Sequence, residues 1–188
     1  SGELVFTTQM TGYKEALTDP SYAGQILMFT YPLIGNYGVD YQNFESARVH
    51  ARGCIAREIA RAPAMRPSVA EFFEENGLLG ISGVDTRSLT IKTRTVGTLR
   101  ASLIVGSTDG EEAVRRARAV PPISEVDLIG SVSCPEPYRI SGSGKRIAVI
   151  DLGVKRHILE SLRSRGADIY VFPHNAVPDE VKIGRAHV

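Results

Sequence analysis

The stretch from Arg146 to Pro173 leaves this chain the fewest folding choices. A short apolar run, RIAVID, precedes VKRHILESLRSRG, whose Val154, Ile158, Leu159 and Leu162 share one side of a helix. A second apolar run, DIYVFP, follows. Arg163 and Arg165 fall in the last helical turn and Gly166 just past it, as a helix C-terminus favours. A strand–helix–strand of this length implies two parallel strands joined by a right-handed crossover. It is the opening unit of a doubly wound α/β domain. One such unit cannot bury both faces of its sheet, so this domain is expected to be incomplete here.

Upstream, SCPEPYRISGSGKR sets two prolines before SGSG, a composition that suits a flexible connection. The expected division is a first domain over 1–140, a linker over 141–144 and a second domain beginning at 145. The closing IGRAHV stops in mid-pattern and coincides with what one reading frame of a common sequencing adapter encodes. Residues 183–188 are therefore expected to be non-native, with a natural terminal helix as the alternative.

The first domain reads as short strands among turns, with a few helices. LVFTT alternates as a strand does. TDPSYAG is a turn in which Asp19 can cap its own backbone and Pro20 fixes φ. QILMFTYP is expected as a buried strand ending at Pro32, and LIGNYGVD as loop. SVAEFFEENG predicts a helix opened by a Ser68–Glu71 capping box and closed by Gly77. VDTRSLTIKTRTVG predicts another, with Asp85 as N-cap and Gly97 as terminator, and EEAVRRARAV a third.

Few side-chain groupings suggest chemistry. His50 and Cys54 in HARGC stand four apart, which would pair them on a helix as an activated thiolate. Gly53 interrupts the segment, however, and GCIAREIA reads as strand. Asp151, at the end of the first α/β strand, is either a ligand or, more in keeping with its place, a turn cap. Arg87, Lys92, Arg94 and Arg100 form either an anion-receiving set or a solvated face. The turn after RIAVID lacks both glycine-rich phosphate fingerprints. A net charge of +1 gives no sign of a nucleic-acid partner. No run of about 18 apolar residues is present, so no membrane association is expected. Two cysteines far apart in sequence fit a reducing compartment, and a cytoplasmic location is expected.

Three ordered blocks carry a resemblance: GELVFTTQMTGYKEALTDPSYAGQILMFTYPLIGNYG, ISGVDTRSLT and AVIDLGVKRHILESLRSRG. Together they resemble the small, glutamine-hydrolysing chain of carbamoyl-phosphate synthase. In the last block Leu152 and His157 stand where that family usually has an aromatic residue and an asparagine. The resemblance implies an α/β chain: a mixed β/β/α domain of the swivelling type, then the first βαβ unit of a flavodoxin-like class I glutamine amidotransferase domain. It implies that the nucleophilic cysteine, its histidine and its acid lie beyond residue 188, so that neither Cys54 nor Cys134 is catalytic. It implies a large partner subunit that uses ATP with magnesium, no cofactor in this chain, and L-glutamine as substrate. One family position falls within the sequence: Ser21 of D-P-S-Y, implied to bind glutamine. A different reading, a non-catalytic interaction module docking through its tyrosine- and glycine-rich loops, has aromatic enrichment at interfaces in its favour. A nucleotide or flavin binder built on the βαβ unit is the third.

Overall fold

The computed structural model describes residues 1–61 and 65–181, so the expected tail at 183–188 lies outside the described residues. The chain forms two compact units, Ser1–Val126 and the residues from Asp127 onward. Both mix helices with sheets of parallel and antiparallel strands, the α/β class expected.

The first unit opens with strand β1 (Gly2–Thr7), helix α1 (Tyr13–Thr18), a 3₁₀ turn (Pro20–Tyr22) and strand β2 (Gln25–Phe29). Short strands β3 (Leu33–Ile34), β4 (Gly53–Ile55) and β5 (Glu58–Ile59) follow, then helix α2 (Val69–Glu75) and strand β6 (Gly80–Ile81). Helix α3 (Thr86–Val96), strand β7 (Leu99–Ala101) and helix α4 (Gly110–Arg118) complete the main elements. The main sheet runs β6-β4-β2-β1-β7, parallel except for β7 against β1.

Strand β2 is apolar almost throughout because both of its faces are covered. Leu27 and Phe29 pack with Tyr13, Leu17, Val69 and Phe72 from α1 and α2. Ile26 and Met28 pack on the other side with Leu4 and Ile55, against Leu89 of α3. Each such side chain, fully withdrawn from water, contributes about 1.5–3 kcal/mol.

Three local expectations hold at the level of single hydrogen bonds. The Glu71 amide donates to Ser68 Oγ at 3.1 Å and the Ser68 amide to Glu71 Oε2 at 2.6 Å, closing the capping box. Asp85 Oδ1 accepts from the Ser88 amide at 3.0 Å, and Gly97, at φ 92°, ends α3. In α4, Glu111 and Glu112 occupy the first turn and three arginines the last. Three expectations need correction. The strand in QILMFTYP ends at Phe29, before Pro32. LIGNYGVD is not wholly loop, since Leu33–Ile34 pairs in parallel with Glu58–Ile59. GCIAREIA is not one strand: Gly53–Ile55 lies in the main sheet and Glu58–Ile59 in the two-stranded one. An unbroken apolar run conceals where a chain passes from one sheet to another.

The second unit contains helix α5 (Ile129–Val132), strands β8 (Tyr138–Ile140) and β9 (Arg146–Asp151), helix α6 (Arg156–Ser164), strand β10 (Asp168–Pro173) and helix α7 (Pro178–Val181). Strands β9 and β10 are parallel and joined through α6, as their spacing predicts. Tyr138–Ile140 adds an antiparallel strand on the free side of β10, so the segment before SGSG pairs with one after it. Leu159 and Leu162 cover Ile147, Val149, Ile169 and Val171. Ile158, expected on that buried side, lies on its flank and is half exposed. The opposite face of β9 leaves Ala148 and Ile150 exposed. The glycines of SGSG have a stricter role than flexibility. A Cβ on Gly142 would lie 2.1 Å from the Ala167 carbonyl oxygen, and one on Gly144 2.7 Å from that of Gly166. The backbones touch there: the Gly144 amide donates to the Gly166 carbonyl at 2.7 Å.

Candidate functional site

Helix α1 ends at Thr18, which is fully buried, and the chain then turns through Asp19, Pro20, Ser21 and Tyr22 into β2. Pro20 sits at the start of the 3₁₀ turn, where its fixed φ suits the geometry and its missing N–H costs nothing. Asp19, only 6% exposed, bends its carboxylate back so that Oδ1 accepts the Ser21 amide at 2.9 Å. Its carbonyl accepts the Tyr22 amide at 3.1 Å. Ser21 itself is exposed, and its hydroxyl makes no hydrogen bond among the described residues. The turn therefore consumes the amide of Ser21 and leaves its Oγ available to donate and to accept.

The segment 35–50 wraps this turn and α1. The Glu45 amide donates to Thr18 Oγ1 at 3.0 Å, and Ser46 Oγ donates to the Thr18 carbonyl at 2.6 Å. His50 clasps the same stretch: its amide donates to the Leu17 carbonyl at 3.1 Å, and Nε2 lies 3.0 Å from Ser46 Oγ. Ser46 Oγ also lies 2.9 Å from the Arg48 carbonyl. Half-burial, then the Arg48 guanidinium, pushes the imidazole below its ordinary value, with Asp19 opposing. Nearby, Tyr13 and Tyr37 stack with ring centroids 4.4 Å apart; the Gly12 amide donates to the Tyr37 oxygen, and the Tyr13 hydroxyl donates to the Gly38 carbonyl.

The other candidates resolve as structure. His50 and Cys54 are not partners on a helix. Cys54 lies in the inner strand β4, 1% exposed, and burial pushes its thiol up. Burial, then the Asp151 carboxylate, also pushes the Cys134 thiol up. Neither environment favours a thiolate. Asp151 is a cap, as its position suggested: Oδ1 accepts the Gly153 and Val154 amides at 2.9 and 2.8 Å, and Oδ2 the Cys134 amide at 2.8 Å. Of the basic set, Arg87, Lys92 and Arg94 lie exposed on α3. Arg100 instead donates to the Arg118 and Val120 carbonyls, both at 3.0 Å, and so caps the end of α4.

The tyrosines divide between the core and the surface: Tyr31 and Tyr41 are exposed, whereas others turn inward. Tyr13 is 2% exposed, Tyr22 and Tyr37 pack against the core, and Tyr41 donates its hydroxyl to Glu75. Open depressions lie away from Ser21, one of about 540 Å³ along α4 and one of about 440 Å³ beside α2. Among the described residues no cluster of three or more metal-ligating side chains occurs, and no helix is long and apolar enough to cross a membrane. Of the residues singled out in the sequence, the structure brings Ser21, Asp19 and His50 to one turn. The roles of Thr18, Glu45 and Ser46 there had no sequence signal beyond the D-P turn itself.

The family model for the carbamoyl-phosphate synthase small chain, CPSase domain, matches residues 1–103. The chain is 52% identical to the carbamoyl phosphate synthase small chain of Methanosarcina acetivorans, a match covering 96% of this chain and 52% of that protein. Proteins of the same name from Caldanaerobacter subterraneus and Archaeoglobus fulgidus are 45% and 44% identical, each over 96% of this chain and 49% and 52% of their own lengths. The chain thus spans about half the length of the curated relatives it matches.

Proposed function

The chain belongs to the carbamoyl-phosphate synthase small-chain family, and on that premise we propose that it forms the N-terminal part of a subunit that hydrolyses L-glutamine. The first unit corresponds in this reading to the swivelling-type β/β/α domain, and the second to the start of a flavodoxin-like amidotransferase domain. The parallel β9–α6–β10 unit supports the second assignment, as do the uncovered Ala148 and Ile150, which await a further layer.

The reaction proposed for the whole subunit needs a cysteine thiolate outside these 188 residues, activated by a histidine that an acid orients. The thiolate adds to the glutamine amide carbon. The amide nitrogen takes a proton from the histidine and leaves as ammonia. Water then cleaves the thioester, releasing glutamate and restoring the thiol. Ammonia passes to the large subunit, where ATP with magnesium drives its union with bicarbonate into carbamoyl phosphate, for arginine and pyrimidine synthesis in the cytoplasm. The thiols of Cys54 and Cys134, both disfavoured as thiolates, support a nucleophile located elsewhere.

Ser21 is the residue of this chain that touches glutamine in the proposal. The observation that carries it is an exposed hydroxyl left unused by its own turn, at the position the family motif marks. Such a hydroxyl donates to the carboxylate of an amino acid or accepts from its ammonium group. The test is Ser21→Ala in the full-length chain assembled with its large partner. Loss of one hydrogen bond, about 0.5–1.5 kcal/mol, raises KM for glutamine roughly twofold to tenfold while turnover persists. An unchanged KM would reduce Ser21 to a turn residue. Tyr13, Tyr22 and Tyr37 pack inward, so the docking-module reading would have to use Tyr31 and Tyr41 instead.

A further inference from the structure

We propose that Asp19 is the positioning residue that frees and aims the Ser21 hydroxyl, an inference that rests on reading Ser21 as the glutamine contact. Three observations carry it. Asp19 is a carboxylate withdrawn from water at 6% exposure, a costly placement for a surface turn unless its hydrogen bonds matter to geometry. One of those bonds goes to the amide of Ser21, at 2.9 Å. A serine in such a turn competes for the same backbone with its own hydroxyl. With Asp19 occupying the amide, Ser21 Oγ remains uncommitted.

The third observation concerns what holds Asp19. Thr18, the preceding residue, is fixed through both its hydroxyl and its carbonyl by Glu45 and Ser46, and the Leu17 carbonyl by the His50 amide. None of these groups belongs to the turn. Orientation therefore passes from the 45–50 segment to Thr18, through Asp19, to the amide of Ser21. Pro20 removes the one φ angle between them that could relax.

The experiment is a double-mutant cycle on glutamine hydrolysis by the full-length small chain assembled with its large partner. Asp19→Ala is expected to raise KM for glutamine roughly threefold to tenfold, on the scale of one misdirected hydrogen bond, with kcat nearly unchanged. Asp19→Asn, whose Oδ1 still accepts the amide, should stay near the parent. In the Ser21→Ala background, Asp19→Ala should add nothing. If Asp19→Ala fails to assemble, Asp19→Glu decides, because it keeps the charge and displaces the acceptor: a raised KM supports the proposal and an unchanged one overturns it. A raised KM for Ser21→Ala with none for Asp19→Ala overturns the Asp19 role alone. Multiplicative effects in the double variant, or an Asn variant as impaired as Ala, do the same. An unchanged KM for Ser21→Ala overturns both readings.

Discussion

Lys14 reaches from α1 to the Asp40 carboxylate, forming an ion pair in which the lysine side chain is 5% exposed and the aspartate 35%. The Gln42 carbonyl accepts from the same ammonium at 2.8 Å, so the pair pins the helix to the 35–42 segment. Asp40→Ala removes the nearest counter-charge, leaving the ammonium only the Gln42 carbonyl and Glu15 at 3.9 Å, and is expected to destabilise the fold by about 1–3 kcal/mol. That is less than for a fully buried pair, since water reaches Asp40. Lys14→Met combined with Asp40→Ala should recover most of the loss in urea unfolding. The Lys14 ammonium holds the Asp40 carboxyl below the usual carboxylate range. The associated stability is complete above about pH 4 and is lost as pH falls through the lower, folded value.

His50 gives a second pH dependence. Burial and Arg48 lower its value in the folded chain, so below about pH 6.5 the unfolded chain takes the proton first. Its contribution to stability is complete above that pH and declines as pH falls through the folded value. Asp19→Asn removes the one charge that opposes the shift and should lower the His50 value further. An NMR titration of the imidazole Cε1–H reads this directly; a value that rises or stays put would contradict the arrangement.

Gly142→Ala and Gly110→Ala should part company. At Gly142 a methyl meets the Ala167 carbonyl, and overpacking against backbone costs about 1–3 kcal/mol or more. At Gly110, in the first turn of α4, a methyl meets open space; the substitution should stabilise by about 0.4–1 kcal/mol through the unfolded chain. Thermal unfolding of the two variants settles the contrast.

The two thiols should behave as bystanders. At about pH 7.5 Cys54 is expected to react with a disulfide reagent only at the rate of unfolding, because burial favours its protonated form. Cys134, partly accessible, should react more slowly than a free thiol. Rapid modification of Cys54 in the folded chain would contradict this.

Much of the architecture was legible because the signals were local. The Ser68–Glu71 box, the Asp85 cap and the β9–α6–β10 alternation each sit within one short window. Helix α1 was not legible. It is six residues long, opens at Gly12 with φ 82° and no side-chain cap, and buries a lysine whose partner lies 26 positions away. The stacking of Tyr13 on Tyr37 is equally non-local, which is why a tyrosine-rich stretch suggests a surface although these two rings pack into the core. Asp151 is legible as a cap, since a strand-end Asp finds backbone amides nearby. The role of Arg100 is not legible, because its acceptors, the Arg118 and Val120 carbonyls, are fixed only by tertiary packing. Ser21 had no signal of its own beyond the D-P turn; the family motif singled it out.

The D-P-S-Y turn assigns its two demands to different positions. Its shape depends on Asp19 and on the groups that grip Thr18, whereas Ser21 contributes only a backbone amide that any residue but proline possesses. Mutational drift at position 21 is thus uncoupled from foldability. Selection can exchange that side chain while inheriting an intact scaffold.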